Sequence, residues 1–104
     1  MIIKIGKNRI SKKHKTYFIA DIGASHDQSL SRAKRLIYLC AKAGANAAKF
    51  QHFKAETIIS DYGFKTLRKT SSKNPINQWK KSVYEVYQKG SINNAWTKEL
   101  MKYC

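Results

Sequence analysis

The sequence predicts an α/β domain organised around one parallel strand–helix–strand unit. Three observations carry that expectation. Residues 17–23, YFIADIG, are short, apolar and partly β-branched, and they end in a polar residue and Gly, as a buried strand does. Leu30, Ala33, Leu36, Ile37, Cys40 and Ala41 then recur at helical spacing, which gives that segment one apolar face. Residues 46–51, NAAKFQ, form a second short strand. Two strands joined through a helix over roughly 30 residues or more make a crossover unit, so they pair in parallel and the connection is right-handed.

Taken in order, residues 1–5 are a brief apolar strand. Gly6, Lys7 and Asn8 read as a turn, and Arg9 and Ile10 return as a partner in a small hairpin. Residues 11–15 are a basic linker. In the central unit, Ser29 is placed to cap the helix, although no Glu or Gln three residues later completes a capping box. Gly44 stands where a left-handed stop residue belongs. Residues 55–60 leave the second strand with room for a short turn. Residues 61–78 are polar and basic, contain Pro75, and read as a long loop. A helix is expected over residues 79–88, through Trp79, Val83, Val86 and Tyr87, with Gly90 as its stop. Asn93 is expected to cap a last helix in which Trp96, Leu100 and Tyr103 share a face. Two parallel strands leave two edges open, and no third strand follows. Residues 1–104 therefore read as the opening of a larger α/β fold, truncated before its third strand.

The central unit makes one chemical statement. Side chains alternate across a strand, so Ile19, Asp21 and Gly23 share one face of the first strand, and Ala47, Lys49 and Gln51 share one face of the second. The polar residues cluster at the C-terminal ends, where α/β folds place ligands. A carboxylate, an ammonium and an amide should converge there. An unpaired buried lysine is costly, so Lys49 calls for an acidic neighbour, with Asp21 at hand, or for an anionic ligand. His26 and His52 each lie just past a strand end; two histidines without further ligands make a weak metal site. The loop Gly23–Gln28 precedes a helix N-terminus but lacks the glycine spacing of a dinucleotide loop and the lysine of a P-loop. No nucleophilic triad is readable.

Bulk composition bounds the partners. The chain has 104 residues, one domain at most, and 42% hydrophobic content, which argues against disorder. A net charge of +15 arises from 21 Lys and Arg against 6 Asp and Glu, so anionic partners are favoured. One alternative reading is therefore a small basic α/β binding module, with nucleic acid as its partner and the basic, aromatic tract 65–87 as its surface. Against it, Trp79, Val83 and Tyr87 fall at helical spacing, which reads as core, and no nucleic-acid motif is recognisable. Cys40 lies on the apolar helix face and reads as a small core residue. Cys104 is terminal, and neither cysteine calls for an oxidising compartment. The absence of any long apolar run and of a signal-peptide pattern at residues 1–10 leads to the expectation of a cytoplasmic protein without membrane association.

The run FIADIGASHDQSLSRAKRLIYLCAKAGANAAKFQHFKAETIIS is similar to the opening of the N-acetylneuraminate (sialic acid) synthase family. In that family a strand ending in A-E/D-I-G is followed by N-H and a small turn, and the first helix leads into A-G-A-D/N-x-x-K-F-Q. Ala20–Gly23, His26 and Ala43–Gln51 carry these motifs here. The likeness extends along essentially the whole chain, is specific in residues 19–54, 80–87 and 96–104, and is weak in residues 61–77. Three positions depart from the family pattern. Asp21 is the shorter acid, drawing its carboxylate back by about a bond length and a half; Ser25 stands in place of Asn, and Gln28 in place of a small residue.

The resemblance implies a (β/α)8 TIM barrel of which residues 1–104 supply the N-terminal hairpin, the first strand, first helix, second strand and most of the second helix. It implies an enzyme that condenses phosphoenolpyruvate with an N-acylated amino sugar, N-acetylmannosamine-like, to give a nine-carbon sialic acid and phosphate. Lys49 would hold the phosphate or carboxylate of phosphoenolpyruvate, Asp21 would be the catalytic acid position facing the sugar, and Gln51 would contact sugar hydroxyls. A divalent metal, Mn or Mg, would activate the sugar aldehyde from ligands outside these residues, in a homodimeric enzyme. Sites in this fold draw on several strands, so residues 1–104 alone are expected to be inactive.

Overall fold

The computed structural model describes residues 1–70 and 80–104. The chain opens on the expected hairpin. Strands β1 (Ile3–Ile5) and β2 (Asn8–Ile10) pair antiparallel with Ile3 opposite Ile10. Their turn relies on Gly6 at φ +56°, a conformation that costs other residues more. The central unit follows as β3 (Ile19–Gly23), α1 (Leu30–Lys42) and β4 (Ala47–Phe50), and β3 pairs with β4 in parallel.

Local chemistry sets the ends of this unit. The Ser29 hydroxyl accepts from the Arg32 amide at 3.3 Å and caps α1. At the other end Gly44, φ +92°, donates its amide to the Ala41 carbonyl, and Ala45 donates to Cys40, both at 3.0 Å. This pair of bonds is the Schellman arrangement that returns the chain toward the sheet. The Asn46 side chain then pins the start of the sheet by accepting from the Phe18 amide at 2.8 Å.

Alternation along the strands decides which face is covered. Ile22 of β3 is buried with Ala33 and Ile37 of α1, with Ile92, and with Leu100 of α5 (Thr97–Tyr103); Ala48, Phe50, Cys40 and Trp96 pack around them. The opposite face carries Ile19, 58% exposed, together with Asp21 and Lys49. One face of the sheet is thus a small core and the other is open among the described residues.

The second half departs from expectation in three places. Residues 61–70, expected as loop, form α3 (Asp61–Thr70) after a short α2 (Ala55–Ile58). The Ser60 hydroxyl accepts from the Gly63 amide at 3.0 Å, and Asp61 pairs with Lys65 one turn later. An N-terminal cap, an acid in the first turn and an i,i+4 ion pair support a helix even where the composition is polar. The next helix, α4 (Val83–Gly90), begins later than expected because Ser82 and Glu85 form a reciprocal capping box. Trp79 and Pro75 lie outside the described residues. Finally, Asn93 caps a 3-10 turn (Asn94–Trp96) rather than α5 itself, and α5 continues from it. Leu100 of α5 is buried, whereas Tyr103 is 47% exposed. No helix among the described residues is long and apolar enough to cross a membrane.

The two faces of β3 should respond oppositely to truncation. Ile22→Ala is expected to cost about 2–5 kcal/mol of stability, as isoleucine truncation in a packed core does. Ile19→Ala should fall within about 0.5 kcal/mol of the parent chain. Urea unfolding midpoints for the two variants would check this, and equal losses would contradict the assigned faces.

Candidate functional site

Asp21 and Lys49 are direct partners in the β3–β4 register. Lys49 Nζ donates to Asp21 Oδ2 at 2.9 Å. Their side chains remain about half exposed, Lys49 at 50% and Asp21 at 57%. Lys49 stands on an open face, because no described residue covers that side. An ion pair this accessible contributes roughly 0–1 kcal/mol to stability. The adjacent charges are therefore a chemical arrangement more than a structural one. An ammonium has three donors; with one on Asp21, the others are available to an anion.

Gly23 shapes the end of the site. The β3–β4 register shifts between Asp21 and Gly23, so that Gly23 stands opposite Phe50 at φ +55°. A Cβ placed on Gly23 would lie 3.7 Å from Asp21 Oδ1 and 4.0 Å from Gln51 Oε1. The carboxylate and the amide thus flank the same glycine. All three residues singled out in the sequence, Asp21, Lys49 and Gln51, meet at the C-terminal end of the parallel pair. Gly23 also belongs to the arrangement. Its position before a turn was the available signal, but the bulge itself needs the pairing register to be seen.

The loop after Gly23 is held by ties that sequence reasoning missed. Asp27 and Gln28 both adopt left-handed backbone, φ +47° and +60°, at a cost on the order of 1–2 kcal/mol each. Several contacts offset this. The Gln28 side-chain amide donates to the carbonyls of Lys89 and Ser91 at the end of α4. Arg32 reaches Asp27 at 3.3 Å and the Ser25 carbonyl at 2.8 Å. Gln28, a departure from the family pattern, is therefore a brace between this loop and α4.

His26 lies at the centre of that loop, fully buried. Its Nδ1 accepts the Gln28 amide at 3.2 Å, which places the ring proton on Nε2. Nε2 has no hydrogen-bond partner among the described residues. The ring packs edge-on to Trp96, centroids 5.9 Å apart, and against Phe50 at 6.4 Å. Burial lowers the His26 pKa from its ordinary value, against a smaller upward pull from Asp27. His52, by contrast, is exposed and shares a 2.9 Å hydrogen bond with Thr97. No group of three or more His, Cys, Asp or Glu among the described residues is arranged to hold a metal.

The fold aligns over 100% of this chain with the crystal structure of the spore coat polysaccharide biosynthesis protein SpsE from Bacillus subtilis, with a TM-score of 0.66 and 28% identity. In sequence the same protein is 31% identical over 102 residues, 97% of this chain. An N,N'-diacetyllegionaminic acid synthase from Legionella pneumophila is 43% identical over 44 residues, 42% of this chain and 12% of its own length. Its namesake from Campylobacter jejuni is 48% identical over 46 residues, 44% of this chain and 14% of its own. These relatives are, by name, proteins of sugar and polysaccharide biosynthesis. The NeuB family pattern matches residues 36–104. The chain belongs to the NeuB family, in agreement with the sialic acid synthase motifs around Asp21 and Lys49. It spans about a quarter, 25%, of the length of SpsE.

The buried His26 makes stability pH-dependent. Its folded pKa lies below the unfolded value of 6.5, so the unfolded state binds the proton more readily. Stability should be full above about 6.5 and decline as pH falls below it, levelling off beneath the folded pKa. His26→Phe should flatten that decline while lowering the plateau by about 0.5–1.5 kcal/mol through loss of the Gln28 hydrogen bond. Denaturant titrations across this pH window read both effects. An unchanged slope in His26→Phe would remove His26 as the cause.

Proposed function

We propose that residues 1–104 form the opening of a (β/α)8 barrel in an enzyme that condenses phosphoenolpyruvate with an N-acylated, N-acetylmannosamine-like sugar. The products are a nine-carbon sialic acid and phosphate. The observation that carries this reading is the Asp21–Lys49 pair, in register on parallel strands within motifs typical of the family. Family membership favours this reading over a basic nucleic-acid-binding module.

The chemistry assigns roles by charge. Phosphoenolpyruvate brings a carboxylate and a phosphate, and its vinyl carbon must meet the sugar aldehyde in a fixed orientation. Lys49 binds one of the two anionic groups with the donors left over from Asp21. Because Asp21 already accepts from Lys49, the ammonium is held in place before substrate arrives, so less is lost in ordering it. The Asp21 carboxylate faces the sugar, where it can position a hydroxyl or a water by accepting its proton. Gln51 can both donate to and accept from sugar hydroxyls beside Gly23. A divalent cation, Mn or Mg, would polarise the aldehyde. The described residues do not supply a ligand set for it. On this reading the cation is held by residues beyond 1–104, in a homodimer, and residues 1–104 alone do not catalyse.

Kinetics on a complete family member carrying residues 1–104 of this chain would test the roles. Lys49→Ala should raise KM for phosphoenolpyruvate by roughly one to two orders of magnitude, since a charged hydrogen bond contributes about 1.5–3 kcal/mol. Lys49→Arg should rescue only in part, because a planar fork replaces a compact ammonium. Asp21→Asn should mainly lower kcat, since it removes charge and keeps shape. Unchanged phosphoenolpyruvate saturation in Lys49→Ala would reduce Lys49 to a structural residue.

A further inference from the structure

A cavity of about 380 Å³ lies between the hairpin and the start of the parallel sheet. Lys7 and Arg9 line it from the hairpin, His14 and Lys15 from the linker, and Tyr17 and Asn46 from the segments that lead into β3 and β4. It therefore sits at the N-terminal end of the parallel pair, away from Gly23 and Gln51. The Tyr17 hydroxyl donates to the Asn46 carbonyl at 3.4 Å and ties the two strand entries together. Asn46 Oδ1 accepts from the Phe18 amide at 2.8 Å, which leaves the side-chain nitrogen of Asn46 to donate elsewhere. No acidic residue lines the cavity. Lys7, Arg9 and Lys15 enter none of the ion pairs among the described residues. Arg9 stands directly opposite Lys4 in the hairpin register, and like charges so placed repel. Residues 1–104 have no acid to spare for this cluster. Of the 6 acidic residues, Asp21, Asp27, Asp61 and Glu99 are in ion pairs and Glu85 closes a capping box. Glu56 stands on α2, beyond the other end of the sheet.

We propose that this cavity binds a small metabolite bearing a diphosphate group, at a site separate from Asp21 and Lys49. Charge sets the ligand class. A phosphate monoester carries about −1.5 to −2, less than the combined positive charge of Lys7, Arg9 and Lys15, and a diphosphate comes closer to matching it. The Arg9 guanidinium can offer two parallel N–H groups to phosphate oxygens, and the two lysines act as compact point charges. The cavity volume lies in the range of small-molecule sites. Its lining comes from one short stretch, residues 7–17, and from Asn46. That is a compact enclosure and not a groove that tracks a polymer backbone, so a small diphosphate fits better than nucleic acid. This inference rests on the hairpin and linker and is independent of the reaction assigned to Asp21 and Lys49.

Calorimetric titration of the chain with inorganic pyrophosphate, adenosine diphosphate and inorganic phosphate, at about 150 mM salt, tests it. Pyrophosphate and adenosine diphosphate should each saturate one site, on the order of tenfold more tightly than phosphate. Arg9→Gln and Lys15→Ala, both at exposed positions, should each weaken binding by on the order of tenfold, as loss of a charged hydrogen bond does. Lys98→Ala, which removes the same charge from exposed α5 surface, should leave it unchanged. Tighter binding of adenosine diphosphate than of pyrophosphate would identify a nucleotide, and equal affinity the diphosphate group alone; both support the site. Absence of saturable binding, equal affinity for phosphate and pyrophosphate, or an equal loss in Lys98→Ala would overturn the proposal. So would a random oligonucleotide that binds more tightly than adenosine diphosphate and weakens alike in all three variants, which would assign the charge to nucleic acid.

Discussion

The parallel pairing of β3 with β4 is the constraint on which the rest of the structure depends. It sets Asp21 opposite Lys49, and it sends Ile22 and Ala48 to the other side, where α1 and α5 cover them. Because side chains alternate with a period of two, a one-residue slip would exchange these faces. Lys49 would then face the core and Ala48 the open side. Burying an ammonium among Ile37, Ile92 and Leu100 is costly without a partner, so the core itself enforces the register that builds the site. The Asp21–Lys49 contact is too exposed to enforce it.

The site is held at its rim by backbone rather than by side-chain bulk. Gly23 breaks the register at the end of β3, and Asp27 and Gln28 follow in left-handed conformations. Such conformations persist only when neighbours over-determine them. Here the neighbours come from distant parts of the chain: the last carbonyls of α4 on Gln28, and Trp96 and Phe50 around His26. The geometry beside Asp21 is thus coupled to the packing of α4 and the 3-10 turn more than sixty residues away in sequence.

Charge is distributed unevenly between structure and surface. Four of the acidic residues, Asp21, Asp27, Asp61 and Glu99, are in ion pairs, and a fifth, Glu85, closes the capping box of α4. With 21 basic residues against 6 acidic ones, most of the positive charge has no acidic partner to meet. The surrounding field therefore favours an anion approaching Lys49.

The sequence by itself determined the strand–helix–strand unit, its parallel sense, the caps at Ser29 and Gly44, and the convergence of Asp21, Lys49 and Gln51. These follow from local rules: alternation, helical spacing and the left-handed tolerance of glycine act over a few residues. It also carried the family, through the motifs at Ala20–Gly23 and Ala43–Gln51. Polar composition misread α3, because helices with capped ends and paired charges need no apolar stripe to be recognised by the backbone. The burial of His26 and the bracing role of Gln28 were decided only by tertiary structure. Each depends on a contact between segments distant in sequence, and no local pattern specifies which surfaces the crossover brings together. The exposure of Lys49 belongs to the same class: alternation assigns it a face, but only the packed chain determines what covers that face.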